Sequence, residues 1–432
     1  MNGLRKTITT WKGVTLAVSM IIGSGLLGLP GMALEVGNVH TAAGGWMLIA
    51  LALIPLVYIF TRLGLKFTSS AGLSRYARES MGAWGGHAVA AVLCGTFTIG
   101  IPALALIGGA YAKDLLGLPE NSIYWLALVI LALAAAGNLL GAKVINIVNS
   151  ASLIALTAMV LLIIVSNIPF LGAGLKVFGE TMTRAGDLDY RDLWRVTAIL
   201  FWAFIGWENL SFSLEEFKNP AKSIPRVFWL SFLVVLFLYF GIIVTSIGAE
   251  ASGISVRGAS GLTALVKQTP MGVFQAAIMA LVIPANAIAW VLSASRLYYA
   301  SGRDGILPSF LGRLAKDGTP LNSVLVSFVA YSLAIAVTYV FRINLSGLVL
   351  IVSQNFLVLY VISIFAYWKT EKSNRRWIVT ALAALSCGFL LSGFNWWILY
   401  PLALLLVGYL GYRRTNARKK FNYDGGGLDG KQ

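Results

Sequence analysis

Residues 18–31 read VSMIIGSGLLGLPG, a run apolar enough for a membrane interior yet interrupted by four glycines and a proline. Glycine loses much conformational freedom in a helix, and proline removes a backbone donor. In hydrocarbon every backbone N–H and C=O must be satisfied, so non-helical backbone survives there only when buried in protein or lining a watery cavity. A helix broken at Gly23-Ser24-Gly25 frees N–H groups at the start of its second half. The helix dipole favours an anion at that point, and a carboxylate is the natural guest. Close helix packing through small residues, with Gly25 and Gly28 at Gly-x-x-Gly spacing, is the alternative reading of the same glycines.

The surrounding chain sets the context for that break. Of 432 residues, 58% are hydrophobic and 12% charged, where soluble domains carry roughly 25% charged residues. Apolar runs of about 20 residues, enough to cross a bilayer, recur along the whole length. These features predict an all-α polytopic membrane protein; a β-barrel would show short alternating segments instead. About twelve spans are expected, centred near residues 24, 53, 99, 130, 158, 204, 238, 284, 330, 358, 385 and 403. An even number places both termini on one side. If that side is the cytoplasm, only eight of the 33 Lys and Arg fall outside: Lys113, Lys176, Arg184, Arg191, Arg195, Arg257, Lys267 and Arg342. Positive charge gathers on the cytoplasmic side of membrane proteins, so a multi-pass protein of the cell membrane with both termini cytoplasmic is expected.

The formal net charge of +16 does not point to nucleic acid, because its basic residues lie in short loops and in the tail around Arg413, Arg414, Arg418, Lys419 and Lys420. The two cysteines, Cys94 and Cys387, sit in apolar segments and form no CxxC site. With only His40 and His87 besides, neither a metal site, a cofactor nor a cluster of catalytic groups is expected, which argues against an integral-membrane enzyme. The start of the chain imitates a signal peptide, but its broken apolar core and the spans that follow predict a retained first helix. The ending DGGGLDGKQ reads as disordered.

The sixth span repeats the interruption. It reads FWAFIGWENLSFSLEEFKNP from Phe201 to Pro220, with Gly206 beside Trp207 and Glu208. Interruptions at corresponding places in two halves of a chain point to a transporter site. Carbonyls freed around Trp202–Gly206 would accept from an ammonium group, facing the anion donors of the first break. Together the two describe a pocket for an α-amino acid zwitterion. Glu208 is a carboxylate deep in a span, and such an acid is a functional candidate by default, here as a gate or protonation site. A structural carboxyl bonded to a neighbouring helix is the alternative. Trp202 and Trp290 are aromatic candidates for closing the pocket, against ordinary packing or lipid-facing roles.

The stretches IIGSGLLGLPG, FWAFIGWENLSFSLEEFKNPAKSIPR and SASRLYYASGRDGILP, with SSAGLSRYARESMG before the third span, resemble the amino acid–polyamine–organocation transporter superfamily. The resemblance covers roughly residues 10–412 and is nearest to bacterial exporters of methionine and branched-chain amino acids. It implies the LeuT-type fold, two inverted five-helix repeats followed by two extra helices. The parts would be a cytoplasmic N-terminus (1–12), a first repeat (13–168), an extracellular loop (169–193), a second repeat (194–368), helices 11 and 12 (375–412) and a basic cytoplasmic tail (413–432). It implies that Gly23, Ser24 and Gly25 bind the substrate carboxylate, and that the carbonyls of Trp202, Ala203 and Ile205 hold the amino group. Trp202 would be a gate, Glu208 would match the acid common after Gly-aromatic in that superfamily, Trp290 would be a pocket aromatic, and Asn286 and Ser353 would be contacts for the side chain. Many members carry a lysine in span five in place of sodium; here NSASLIALTAMVLLIIV has none. Ser152 and Thr157 are candidates for sodium, although hydroxyls usually bond back to their own helix.

The expected function is secondary active transport of neutral apolar amino acids (Leu, Ile, Val or Met) across the cell membrane by alternating access, with export as one direction. The substrate is a small amino acid, the coupling ion a proton or sodium, and the lipid bilayer the medium. A polyamine or cationic amino acid transporter of the same fold is the nearest alternative; it would need a second deep acid beside Glu208.

Overall fold

The structure is a computed structural model that describes residues 6, 8–68, 72–140, 142–211, 213–267, 272–316, 318–394 and 396–425. It contains helices α1 (Thr10–Ile21), α2 (Ser24–Val36), α3 (Val39–Lys66), α4 (Gly72–Met81), α5 (Ala83–Leu116) and α6 (Ser122–Leu139). Then follow α7 (Ala142–Ser166), α8 (Ile168–Thr183), α9 (Tyr190–Phe201), α10 (Trp207–Ser211), α11 (Pro220–Ala251) and α12 (Thr263–Lys267). The remainder are α13 (Gly272–Arg303), α14 (Leu321–Val340), α15 (Leu345–Thr370), α16 (Arg376–Leu391) and α17 (Leu399–Gly425). Among the described residues, strand-like pairing is confined to one bridge between Ile8 and Phe217.

The chain is an all-α polytopic membrane protein. Eight helical stretches among the described residues, α1–α2 counted as one, are long and apolar enough to cross a membrane, and nine if the bent α7–α8 pair is a single span. All twelve expected centres fall in a helix or helical turn; residue 204 lies in a short 3-10 turn, Trp202–Phe204, between α9 and α10. The outward faces are those of a protein solvated by hydrocarbon. On α6, Trp125, Val129 and Leu133 are more than half exposed at four-residue spacing, and Val329 and Leu333 repeat the pattern on α14. By contrast α5 is buried along most of its length. The broken helices lie beside it at the middle of the bundle.

One interval departs from expectation. Residues 169–193 read as a loop, yet most of them form α8, which turns 84° from α7. Its buried residues Gly174, Val177, Phe178 and Thr181 fall at helical spacing, so an amphipathic helix hid behind an average polarity. Two glycines let α8 lie directly on α11. A Cβ at Gly174 would stand 1.9 Å from the Val244 carbonyl oxygen, and one at Gly248 would stand 1.8 Å from that of Phe170.

The end of the bundle that carries the N-terminus is closed. The Ile8 N–H donates to the Glu216 carbonyl at 3.0 Å, and the Lys218 N–H donates to the Ile8 carbonyl at 3.0 Å. Thr10 Oγ1 donates to Ser223 Oγ at 3.1 Å. Phe217 is fully buried against Gly13, where an added Cβ would be 2.6 Å from its ring. At the same end Arg62 of α3 pairs with Glu371 at 2.8 Å.

Because backbone faces backbone at Gly248, Gly248→Ala should cost about 1–3 kcal/mol, the usual penalty for overpacking. A thermal unfolding midpoint lowered relative to wild type is the expected result; an unchanged midpoint would mean that α8 does not seat there.

Candidate functional site

The first break begins where α1 stops. Ile22 turns to extended backbone while its N–H still bonds the Val18 carbonyl at 2.8 Å, and α2 starts at Ser24 without a side-chain cap. The first N–H groups of any helix lack intrahelical partners, so those of Ser24 and Gly25 open onto whatever lies ahead. Gly23 is required by crowding: a Cβ there would sit 2.5 Å from Asn286 Oδ1 of α13. The Ser24 backbone opens α2 as described, whereas its side chain lies outside the described residues.

The second break runs through the Trp202–Phe204 turn, an extended Ile205 and Gly206, with α10 following. Gly206 has φ +142°, a region that side-chain-bearing residues rarely adopt. It is also pressed against the end of α1, its would-be Cβ 2.8 Å from Ile21 Cγ1 and 3.1 Å from the Met20 carbonyl oxygen. The two interruptions therefore touch each other. Trp202's carbonyl already accepts the Ile205 N–H at 3.1 Å, which leaves it one lone pair.

Glu208 is fully buried and serves the break itself. Its Oε2 accepts the Gly206 N–H at 3.1 Å and the Tyr360 hydroxyl of α15 at 3.1 Å. Its Oε1 is buried with no partner among the described residues. Tyr360 stacks edge to face on Phe60 and Phe201, with ring centroids 4.9 and 5.3 Å away.

Both breaks open onto one cavity of about 30 Å³, so a ligand larger than a water must widen it on binding. Ile21, Gly23 and Gly25 line it from the first break, Trp202 and Ile205 from the second, and Asn286 and Trp290 from α13. Helix α5 supplies Thr96, Phe97, Gly100, Ile101 and Leu104, and α15 supplies Val352 and Phe356. Phe97 and Trp290 meet edge to face at 5.7 Å. The Thr96 hydroxyl is bonded to the Val92 carbonyl of its own helix at 2.6 Å. Among the described residues no charged side chain lines this space. The Asn286 Oδ1 atom is buried there without a donor among them. N–H groups on one wall and unpaired acceptors on the others suit a molecule with an anionic and a cationic end.

Of the residues singled out in the sequence, Gly23, Gly25, Trp202, Ile205, Asn286 and Trp290 thus share the cavity. Ala203 and Ser353 do not line it. Ala203 is buried with its Cα 3.4 Å from where a Gly25 Cβ would be. Ser353 is buried with an unpartnered hydroxyl, one residue from Val352, which does line it. Sequence reasoning missed the α5 wall, since a continuous apolar helix marks none of its positions as special. Ser152 lines a separate small void of about 10 Å³ with Ser19, Gly23 and Asn286, but its hydroxyl donates to the Val148 carbonyl of its own helix at 2.8 Å. Thr157 does not line that void.

A second cavity, of about 590 Å³, lies further along α2 and α5 at Met32, Glu35, Leu106 and Ala110. It is polar: Lys113 pairs with Asp114 at 2.9 Å and Glu120 at 2.8 Å, and the Ser260 hydroxyl donates to Asp114. The loop after α11 is pinned to α2 by the Gly258 N–H, which donates to the Gly31 carbonyl at 3.0 Å.

The sequence matches the amino acid permease family over residues 8–420. An uncharacterized amino acid permease of Bacillus subtilis, YecA, is 26% identical, with 96% of this chain and 98% of the relative covered. The L-methionine/branched-chain amino acid exporter YjeH of Escherichia coli is 24% identical, with 94% of this chain and 96% of the relative covered. The branched-chain amino acid permease BcaP of Lactococcus lactis is 28% identical over 33% of this chain and 31% of the relative.

Gly25→Leu should remove amino acid binding, because even a Cβ there would stand 3.1 Å from the Tyr239 hydroxyl and 3.4 Å from Ala203 and Leu29, so the larger side chain displaces the start of α2. Wild-type affinity in that variant, measured by ligand-induced thermal stabilisation, would reject the cavity as the binding site.

Proposed function

The chain belongs to the amino acid permease family, and we propose that it carries neutral apolar amino acids across the cell membrane by alternating access. In this reading the substrate carboxylate rests on the N–H groups of Gly23, Ser24 and Gly25. The ammonium is held by carbonyls of the Trp202–Ile205 segment and by Asn286 Oδ1. Phe97, Ile101, Trp290, Val352 and Phe356 then face the side chain, and Trp202 closes over it. The observation that carries the proposal is that both interrupted helices meet in one cavity without a charged side chain among its described lining residues. A polyamine or a basic amino acid would need a carboxylate there. The name of the Escherichia coli relative, an L-methionine/branched-chain amino acid exporter, supports the same substrate set and favours export.

The closed N-terminal end fits a conformation that loads from the opposite face, through the polar cavity above. Both termini are assigned to the cytoplasm on the distribution of positive charge. Opening inward would then require the Ile8 pairing with Glu216 and Lys218 to part. Glu208 couples this cycle to protons: as a carboxylate it can only accept, and protonated it can donate, so its charge state changes how Gly206 and Tyr360 are held.

Purified protein tested against all twenty amino acids should be stabilised by Leu, Ile, Val or Met, by about 2.7 kcal/mol at a hundred times Kd. Stabilisation by arginine, glutamate or a polyamine in their place would reject the substrate assignment. Glu208→Gln should flatten the pH dependence of transport in proteoliposomes; an unchanged profile would reduce Glu208 to a structural cap. Ile8→Pro removes the donor to the Glu216 carbonyl. It should raise labelling of a cysteine placed at the buried Val14 by a membrane-impermeant thiol reagent applied from the cytoplasmic side, and equal labelling would show that the bridge does not hold that end shut.

A further inference from the structure

An apolar groove of about 390 Å³ lies between α3, α8 and α11, about two turns or more in from the ends of α3 and α11. Its floor is formed by Trp46, Met47, Ala50 and Tyr239, and its rim by Leu233, Phe237 and Phe240. The rim side chains are 56%, 68% and 46% exposed, so the groove continues directly into the apolar outer face of α11. At one edge Phe178 of the bent helix α8 meets Phe240 edge to face, with ring centroids 5.5 Å apart. The α8 helix, by folding back at 84°, makes a groove out of what would otherwise be a flat helix face.

Water cannot settle in such a space, because it needs two to four polar partners and the groove presents almost no polar surface. The groove opens at mid-span onto the bilayer interior, whose substance is hydrocarbon chain. We propose that it is a binding site for one acyl chain of a membrane phospholipid, seated against Trp46 and Tyr239 and walled by Phe178 and Phe240. The source of the chain follows from position: the rim is continuous with the lipid-facing surface, and no polar or charged group on it would recognise a peptide.

The floor of this groove is the back of the substrate cavity's wall. Trp46, Tyr239 and Phe204 form a mutual cluster with centroid separations of 5.6, 5.3 and 5.9 Å. Phe204 belongs to the second break, and a Cβ at Gly25 of the first would stand 3.1 Å from the Tyr239 hydroxyl. A chain in the groove therefore supports both breaks from behind, which makes the bilayer part of the wall. The assignment rests on the groove and on the membrane location alone, and stands whichever amino acid the central cavity takes.

The test uses the full chain in nanodiscs containing a phospholipid with a photoactivatable diazirine midway along one acyl chain, followed by mapping of the labelled peptides. Labelling should concentrate on residues 46–50 and 233–243 over the open lipid-facing positions Val329 and Leu333 of α14. Ala50→Trp fills the groove and should lower labelling there by about fivefold, as expected for losing one or two methylenes of buried contact, while α14 is labelled as before. That unchanged α14 signal also reports a folded variant; should Ala50→Trp not fold, the wild-type comparison of groove with α14 decides. Groove labelling no stronger than on α14, labelling unaffected by Ala50→Trp, or labelling by a diazirine fatty acid but not by the phospholipid would each overturn the proposal.

Discussion

A peptide N–H that has left its helix inside a membrane must find an acceptor or face a cavity, and the architecture of this protein follows from meeting that demand twice. At the second break the Gly206 N–H is satisfied by the Glu208 carboxylate, itself held by Tyr360 of α15. At the first break α2 begins with no side-chain cap among the described residues, so its leading N–H groups lack an intrahelical partner. One interruption is thus sealed from within by a buried acid, and in the proposed function the other receives the substrate carboxylate. Removing the Glu208 carboxylate would leave a buried backbone donor unpaired, a loss of roughly 1–3 kcal/mol for the group concerned. The contact of Gly206 with Met20 and Ile21 means that disturbing either break disturbs both.

Much of this was legible in the sequence because glycine punctuates an otherwise uniform apolar text. The two breaks, the helical class and the approximate positions of the spans all follow from where glycine, proline and charge interrupt hydrophobic runs. The residues at the breaks and the two polar or aromatic candidates of α13, Asn286 and Trp290, were found because they stand out chemically from their neighbours. The α5 wall could not be found in this way. Phe97, Ile101 and Leu104 repeat at helical spacing, but a helix buried on most sides shows no stripe by which to choose one face.

Where the structure differs from the sequence reading, the causes are equally local. Ser353 stands out in the sequence by its hydroxyl, yet one residue is about 100° of helical rotation, and Val352 and Phe356, four apart, line the cavity. Glu208 stands out by its depth, and its carboxylate bonds the backbone of its own break rather than lining the cavity. Residues 169–193 looked like a loop because Glu180, Arg184 and Asp187 lowered the average; the buried face of α8 is carried by two small residues, Gly174 and Thr181, that a hydrophobicity count passes over. Small residues are also what bring α8 onto α11 at all, and so what shape the groove behind the central cavity.

The central claim is that two opposed helix breaks read the two charged ends of one amino acid. It is tested most directly by comparing the affinities of leucine, leucinamide and N-acetylleucine for the purified protein by titration calorimetry. Each analogue removes one end's charge and leaves the side chain intact. Hydrogen bonds to charged groups contribute about 1.5–3 kcal/mol, so each analogue should bind more weakly than leucine by about 10- to 100-fold. Leucinamide or N-acetylleucine binding as tightly as leucine would contradict the account, because the corresponding break would then recognise nothing.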